Sequence, residues 1–302
     1  MEKKYSGVVV PMVTPFTKEG KLDTSAVAKI CQRFVEFGVS PLLLGTTGES
    51  TSVSISDSRM LVKTAVEAIK GKVLVYAGLC GSSVSQNIEN AKSYVDIGAD
   101  VLVSTLPSYY ALTPSQMLSY YEMFADNVTK PIMMYNITST THMSIPLDVV
   151  LTLSNHPNVK GFKDSERDEL RMQECAKLFR DREGFSYFMG SAVFSAAALK
   201  LGADGIVPST ANFTPKMFKQ LYDFSLEEKW EEAERMQNET NEVAKVYQSN
   251  RTLGQSLQTL KVMMSALDLC QPIAIPPLTN LPFDEQQEIL KATKIIMQKY
   301  QI

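Results

Sequence analysis

This chain is poor in the residues that metal and redox chemistry use. Its 302 residues include only two histidines, His142 and His156, and four cysteines, Cys31, Cys80, Cys175 and Cys270. The histidines are not at metal-ligand spacing and the cysteines form no CxxC pair, so neither a zinc site nor a dithiol motif is indicated. The thiols read as reduced and mostly buried. HExxH, G-x-S-x-G, a P-loop and GxGxxG are all missing, which removes the metalloprotease, serine-hydrolase, nucleotide and dinucleotide readings. No apolar run reaches membrane-spanning length, and Met1 to Gly7 has no signal-peptide core, so a cytoplasmic location is expected. A net charge of -3 leaves no basic footprint. Neither nucleic acid nor membrane is an expected partner.

What is present is a repeating unit. A hydrophobic fraction of 44% with 21% charged residues suits a globular protein with a sizeable core. Short apolar runs occur at Val8 to Val13, Val39 to Leu44, Val73 to Leu79, Val101 to Leu106, Ile132 to Tyr135, Val159 to Lys163, Tyr187 to Met189 and Gly205 to Val207. Amphipathic helical patterns separate them, for example Thr24 to Phe37, Asp57 to Ile69 and Pro114 to Ala125. Eight such alternations predict an α/β fold, a (β/α)₈ TIM barrel. Gly38, Gly98 and Gly202 stand where helices would end in a left-handed residue. After about Asn212 only helices follow, interrupted by an extended proline-rich stretch from Gln271 to Pro277. We therefore expect a barrel over residues 1–224 and a helical C-terminal extension over 225–302 packed on it.

A barrel gathers the loops after its strands at one mouth, and active sites form there. The strand ends supply Gly45-Thr46-Thr47-Gly48-Glu49-Ser50, Ser108-Tyr109-Tyr110, Tyr135-Asn136, Lys163-Asp164-Ser165, Gly190-Ser191 and Val207-Pro208-Ser209. In a strand, Val159, Gly161 and Lys163 share one face while Phe162 and Asp164 share the other. Most lysines are solvated surface charges. One enclosed among small and apolar neighbours can lose its proton and act as an amine nucleophile. Being neutral at pH 7 requires about 4.6 kcal/mol against an ordinary lysine, within the range that burial supplies. Lysine, phenols and threonine hydroxyls together suit Schiff-base chemistry on a 2-oxo acid: the amine attacks the keto carbon, the hydroxyls relay protons, and backbone N–H groups with a threonine hold the carboxylate.

Taken together, Gly7-Val8-Val9-Val10-Pro11-Met12-Val13-Thr14-Pro15-Phe16, the Gly45 to Ser50 stretch, Ser108-Tyr109-Tyr110, Tyr135-Asn136 and Gly161-Phe162-Lys163-Asp164 resemble the dihydrodipicolinate synthase / N-acetylneuraminate lyase family of class I Schiff-base aldolases over nearly the whole chain. The resemblance implies Lys163 as the Schiff-base lysine, Tyr135 as the tyrosine that exchanges protons, and Thr46 and Tyr110 as the rest of the relay, with Tyr110 reaching a neighbouring subunit's site. It implies Thr47 at the carboxylate, with Gly190, Val207, Thr140 and Ser165 as further substrate-binding candidates. It also implies no metal or separate cofactor, a 2-oxo acid and an aldehyde as small-molecule partners, and a homotetramer built as a dimer of dimers.

Departures bear on the substrate. Dihydrodipicolinate synthases follow their tyrosine with Asn-Val-Pro-x-Arg; here the run is Tyr135-Asn136-Ile137-Thr138-Ser139-Thr140, so Thr140 stands in place of a cation. A missing charge-assisted hydrogen bond is worth about 1.5–3 kcal/mol unless Arg167 or His142 substitutes. Ser82 and Gln86 occupy the positions where lysine-regulated members carry Asn and Glu, and Gly190-Ser191-Ala192 lacks the acids of neuraminate lyases. Lys163-Asp164, the lack of that arginine and Ala211-Asn212-Phe213 look more like the 2-keto-3-deoxy-sugar-acid aldolases of the family, a resemblance that implies reversible cleavage of such an acid to pyruvate and an aldehyde. Dihydrodipicolinate synthase, neuraminate lyase and a non-catalytic 2-oxo-acid-binding barrel are the alternatives.

Overall fold

The computed structural model describes residues 3–302. Eight parallel strands close into a barrel in chain order: β1 Gly7–Pro11, β2 Ser40–Leu43, β3 Tyr76–Leu79, β4 Val101–Thr105, β5 Ile132–Asn136, β6 Val159–Asp164, β7 Ser186–Met189 and β8 Gly205–Ile206. Each falls on an expected apolar run. Because helices cover one face and the barrel interior the other, almost every strand residue is buried, which is why the runs are continuous rather than alternating.

The intervening helices are α1 Thr24–Glu36, α2 Ile55–Ile69, α3 Val84–Ile97, α4 Pro114–Asp126, α5 Thr138–Thr141, α6 Leu147–Leu153, α7 Glu169–Phe179, α8 Ser195–Lys200 and α9 Pro215–Leu226. Side chains at their starts satisfy free backbone donors: Asp23 accepts from Ala26, Ser54 from Asp57, and Thr113 forms a capping box with Gln116 ahead of Pro114. Gly38, Gly98 and Gly202 all have the left-handed φ the sequence suggests. A 3₁₀ turn, Ala192–Phe194, leads into the short α8, and the one-turn α5 was not anticipated. Beyond the barrel, α10 Trp230–Gln248 packs on α8 and α9, α11 Leu253–Ser265 on α10, and α12 Phe283–Tyr300 on both.

Two apolar layers result. Outward-facing Val10, Leu102, Met134 and Phe162 pack under the helices, whereas Val9, Leu42, Val103, Met133, Tyr135 and Phe188 fill the barrel. The floor depends on a glycine. A Cβ at Gly205 would lie 2.3 Å from the Phe188 ring and 2.5 Å from the Gly7 carbonyl oxygen, so only glycine admits that ring.

Candidate active site

Register brings the expected residues into one row. Tyr135 on β5 pairs with Lys163 on β6, which pairs in turn with Phe188 on β7. Lys163 is only 3% exposed. Its Nζ lies 3.2 Å from the centroid of the Tyr135 ring and donates a 3.0 Å hydrogen bond to Ser165 Oγ. The partner is a hydroxyl, not a carboxylate. Burial pushes the amine well below its ordinary pKa, only partly opposed by the nearby Asp164 carboxylate. Burial also raises the Tyr135 phenol, and its hydrogen bond with Thr46 works against that rise.

The strand after Lys163 turns its next side chain outward. Asp164, 2% exposed, receives Arg171 Nε at 2.5 Å, Asn136 Nδ2 at 3.0 Å and the Glu166 N–H at 3.0 Å. Arg171 also donates to the Ile145 carbonyl at 2.8 Å, and Asn136 accepts from the Ile145 N–H at 3.1 Å. One network thus ties the ends of β5 and β6 to the loop that holds α5. At its centre Arg171 offsets part of the charge of Asp164.

Thr46 and Thr47 sit on the turn after β2. Thr46 Oγ1 is 3.3 Å from the Tyr135 hydroxyl, and Thr47 is buried at 7% exposure. The turn closes through Gly48 N–H to Gly45 O at 3.0 Å and Glu49 N–H to Thr46 O at 3.1 Å, while Thr14 Oγ1 donates to the Gly48 carbonyl at 2.5 Å. Gly190 N–H bonds the Asp164 carbonyl at 2.6 Å; a Cβ there would lie 2.1 Å from Ser165 Oγ. Val207 is buried in the same interior cluster as Tyr135.

Two candidates stand apart from this row. Thr140 lies on α5, its hydroxyl 3.4 Å from the Ile137 carbonyl, so the residue at the departure from the family pattern is engaged locally. Tyr110 is 73% exposed, its ring edge-on to Tyr109 at 4.9 Å. Sequence reasoning did not join Asn136 and Arg171 into a network around Asp164, and it placed Cys80 at the end of β3 without giving it a role; its thiol donates to the Leu44 carbonyl at 3.7 Å. Only the tertiary fold joins these residues. All four cysteines are unpaired. Among the described residues there is no group of three or more His, Cys, Asp or Glu able to hold a metal, and no helix is long and apolar enough to cross a membrane.

A desolvated amine resting on a phenol at the mouth of a closed eight-stranded barrel is what a class I aldolase or lyase needs. Comparison with known proteins makes the assignment specific. The model of the Dihydrodipicolinate synthetase family matches residues 4–296, and the chain belongs to that family of pyruvate-acting class I aldolases and lyases. It is 28% identical over 294 residues to a 4-hydroxy-tetrahydrodipicolinate synthase of Campylobacter jejuni subsp. jejuni, covering 96% of this chain and 97% of that one. It is 31% identical over 243 residues to a DapA-like lyase of Pyrococcus abyssi, covering 80% and 82%. The solved structure of dihydrodipicolinate synthase from Bacteroides thetaiotaomicron superimposes with a TM-score of 0.92 at 27% identity, over 98% of this chain and 100% of that one.

Proposed function

We propose that the protein cleaves a 2-keto-3-deoxy sugar acid reversibly to pyruvate and an aldehyde, with Lys163 as the nucleophile. The observation that carries this reading is the environment of Lys163: fully enclosed, bonded to a hydroxyl, and stacked on Tyr135. In the proposed sequence the neutral amine adds to the keto carbon, and Tyr135 relays protons, with Thr46 beside it, as water leaves and the iminium forms. The relay takes the C4 hydroxyl proton, the C3–C4 bond breaks, and its electrons pass to the iminium to give an enamine and the free aldehyde. Protonation at C3 and addition of water then release pyruvate and restore the lysine.

Thr47 and turn N–H groups hold the substrate carboxylate in this reading, and Gly190, Val207, Ser165 and Thr140 line the rest of the substrate's path. Tyr110, exposed on its loop, completes the relay of a neighbouring subunit in a homotetramer. A cytoplasmic location accompanies the reading. Relatives include 4-hydroxy-tetrahydrodipicolinate synthases, yet Thr140 offers no cation to an acidic aldehyde, which is the reason to place sugar-derived aldehydes first.

Borohydride reduction in the presence of pyruvate, followed by mass spectrometry, tests the chemistry. The expected adduct is on Lys163 and is lost in Lys163→Ala; no adduct, or one that persists in the variant, refutes it. A panel of aldehydes assayed by pyruvate consumption tests the substrate. Efficient turnover of aspartate semialdehyde would overturn the preference for a sugar acid.

A further inference from the structure

Helix α11 carries a lysine where a helix this deeply packed would ordinarily carry an apolar residue. Every residue from Ser256 to Met264 is buried, and the Lys261 side chain is fully enclosed. Its ammonium pairs with the Glu49 carboxylate, donates to the Ile273 carbonyl at 2.9 Å and lies 4.7 Å from the centroid of the Phe16 ring. As a source of stability such a pair is weak, because desolvation offsets the attraction and an apolar pair of similar size does as well or better. What it holds matters more. Glu49 closes the turn after β2: its N–H bonds the Thr46 carbonyl, and its φ of 56° is left-handed, a conformation that a non-glycine residue keeps only when its surroundings enforce it. The other carboxylate oxygen is buried without a partner, so Lys261 is the only cation holding the group among the described residues.

We infer that Lys261 is a positioning residue for the reaction: by gripping Glu49 from α11 it fixes the turn that sets the Thr46 hydroxyl against Tyr135. Thr14, donating to the Gly48 carbonyl, is a second hold on the same turn. The C-terminal helices are then part of the catalytic geometry, through a residue that touches no substrate. This inference rests on the proposed role of Thr46 as the partner of Tyr135.

The test uses the maximal rate of borohydride-trapped pyruvate adduct formation, with thermal melting as the check on folding. K261M/E49Q removes both charges at nearly constant volume. It is expected to fold and to trap about ten- to a hundredfold more slowly, the scale of a misplaced catalytic group. T46V should slow trapping similarly, and the triple variant should be no slower than T46V. Trapping at the parental rate by K261M/E49Q, or losses that multiply in the triple variant, would overturn the inference. Should K261M/E49Q fail to fold, E49D, which keeps both charges and moves the carboxylate by one methylene, takes its place with the same expectation and the same refuting results. T46V that traps at the parental rate refutes the reading of Thr46 itself, a distinct outcome.

Discussion

Replacing Gly190 by alanine probes how the lysine's hydroxyl partner is held. The new Cβ would stand 2.1 Å from Ser165 Oγ, 2.9 Å from the Asp164 carbonyl oxygen and 3.1 Å from Ser165 Cβ. The first contact is untenable, so Ser165 must rotate and its 3.0 Å bond to Lys163 must break. Losing that bond costs about 0.5–1.5 kcal/mol, and the residual crowding against the Asp164 carbonyl brings the whole to about 1–3 kcal/mol, the usual range for overpacking. Urea denaturation of G190A, S165A and G190A/S165A measures this directly. With Oγ removed the severest clash disappears, so alanine at 190 should cost about 1 kcal/mol less in the S165A background. The rate of pyruvate trapping should fall alike in G190A and S165A and no further in the double variant. Costs that add independently, or a G190A protein as stable as its parent, would show that Ser165 does not stand between Gly190 and the lysine.

Other expectations follow from the same surroundings. Arg171→Met leaves the buried Asp164 carboxylate uncompensated beside Glu166, and should destabilise the protein by about 3–5 kcal/mol in urea, with R171M/D164N recovering most of it. Lys163→Met should melt higher than the parent at neutral pH. The sign comes from proton binding: between the lowered native pKa and the ordinary 10.5 the unfolded chain holds a proton that the native lysine lacks, so parental stability rises with pH across that window and the gap to K163M closes towards 10.5. A gap that widens with pH would contradict a depressed lysine. Tyr135→Phe keeps the ring under Lys163 but removes the hydroxyl shared with Thr46, and trapping should slow by about a hundredfold or more while the adduct still forms on Lys163. Trapping within about threefold of the parent would assign the proton relay elsewhere.

The barrel was legible before any coordinates because its strands are buried on both faces, so each appears as a continuous apolar run at nearly its true bounds. Glycines ending in left-handed backbone marked several helix ends for the same local reason. Lys163 was legible too, since side-chain alternation along a strand places it with Gly161, opposite Phe162 and Asp164. The turn of α5 was not, because Thr138 to Thr141 carries no apolar periodicity. Lys261 did leave a trace, a single lysine in the apolar run Leu260-Lys261-Val262-Met263-Met264, though nothing nearby in sequence names its partner.

Local chemistry, then, is written in order along the chain: where strands and helices fall, which face a side chain takes, and which residue types reach the mouth. Sequence alone determined the eightfold alternation and the candidate amine with its phenol and hydroxyls. Closure of the barrel decided what those residues experience. A lysine's proton affinity depends on the solvent excluded and the charges within a few ångströms, and here closure of the barrel buries the amine and sets the Tyr135 ring of β5 against it. The pairing of Glu49 with Lys261 spans 212 residues, and only the packed fold brings two such distant charges together out of water.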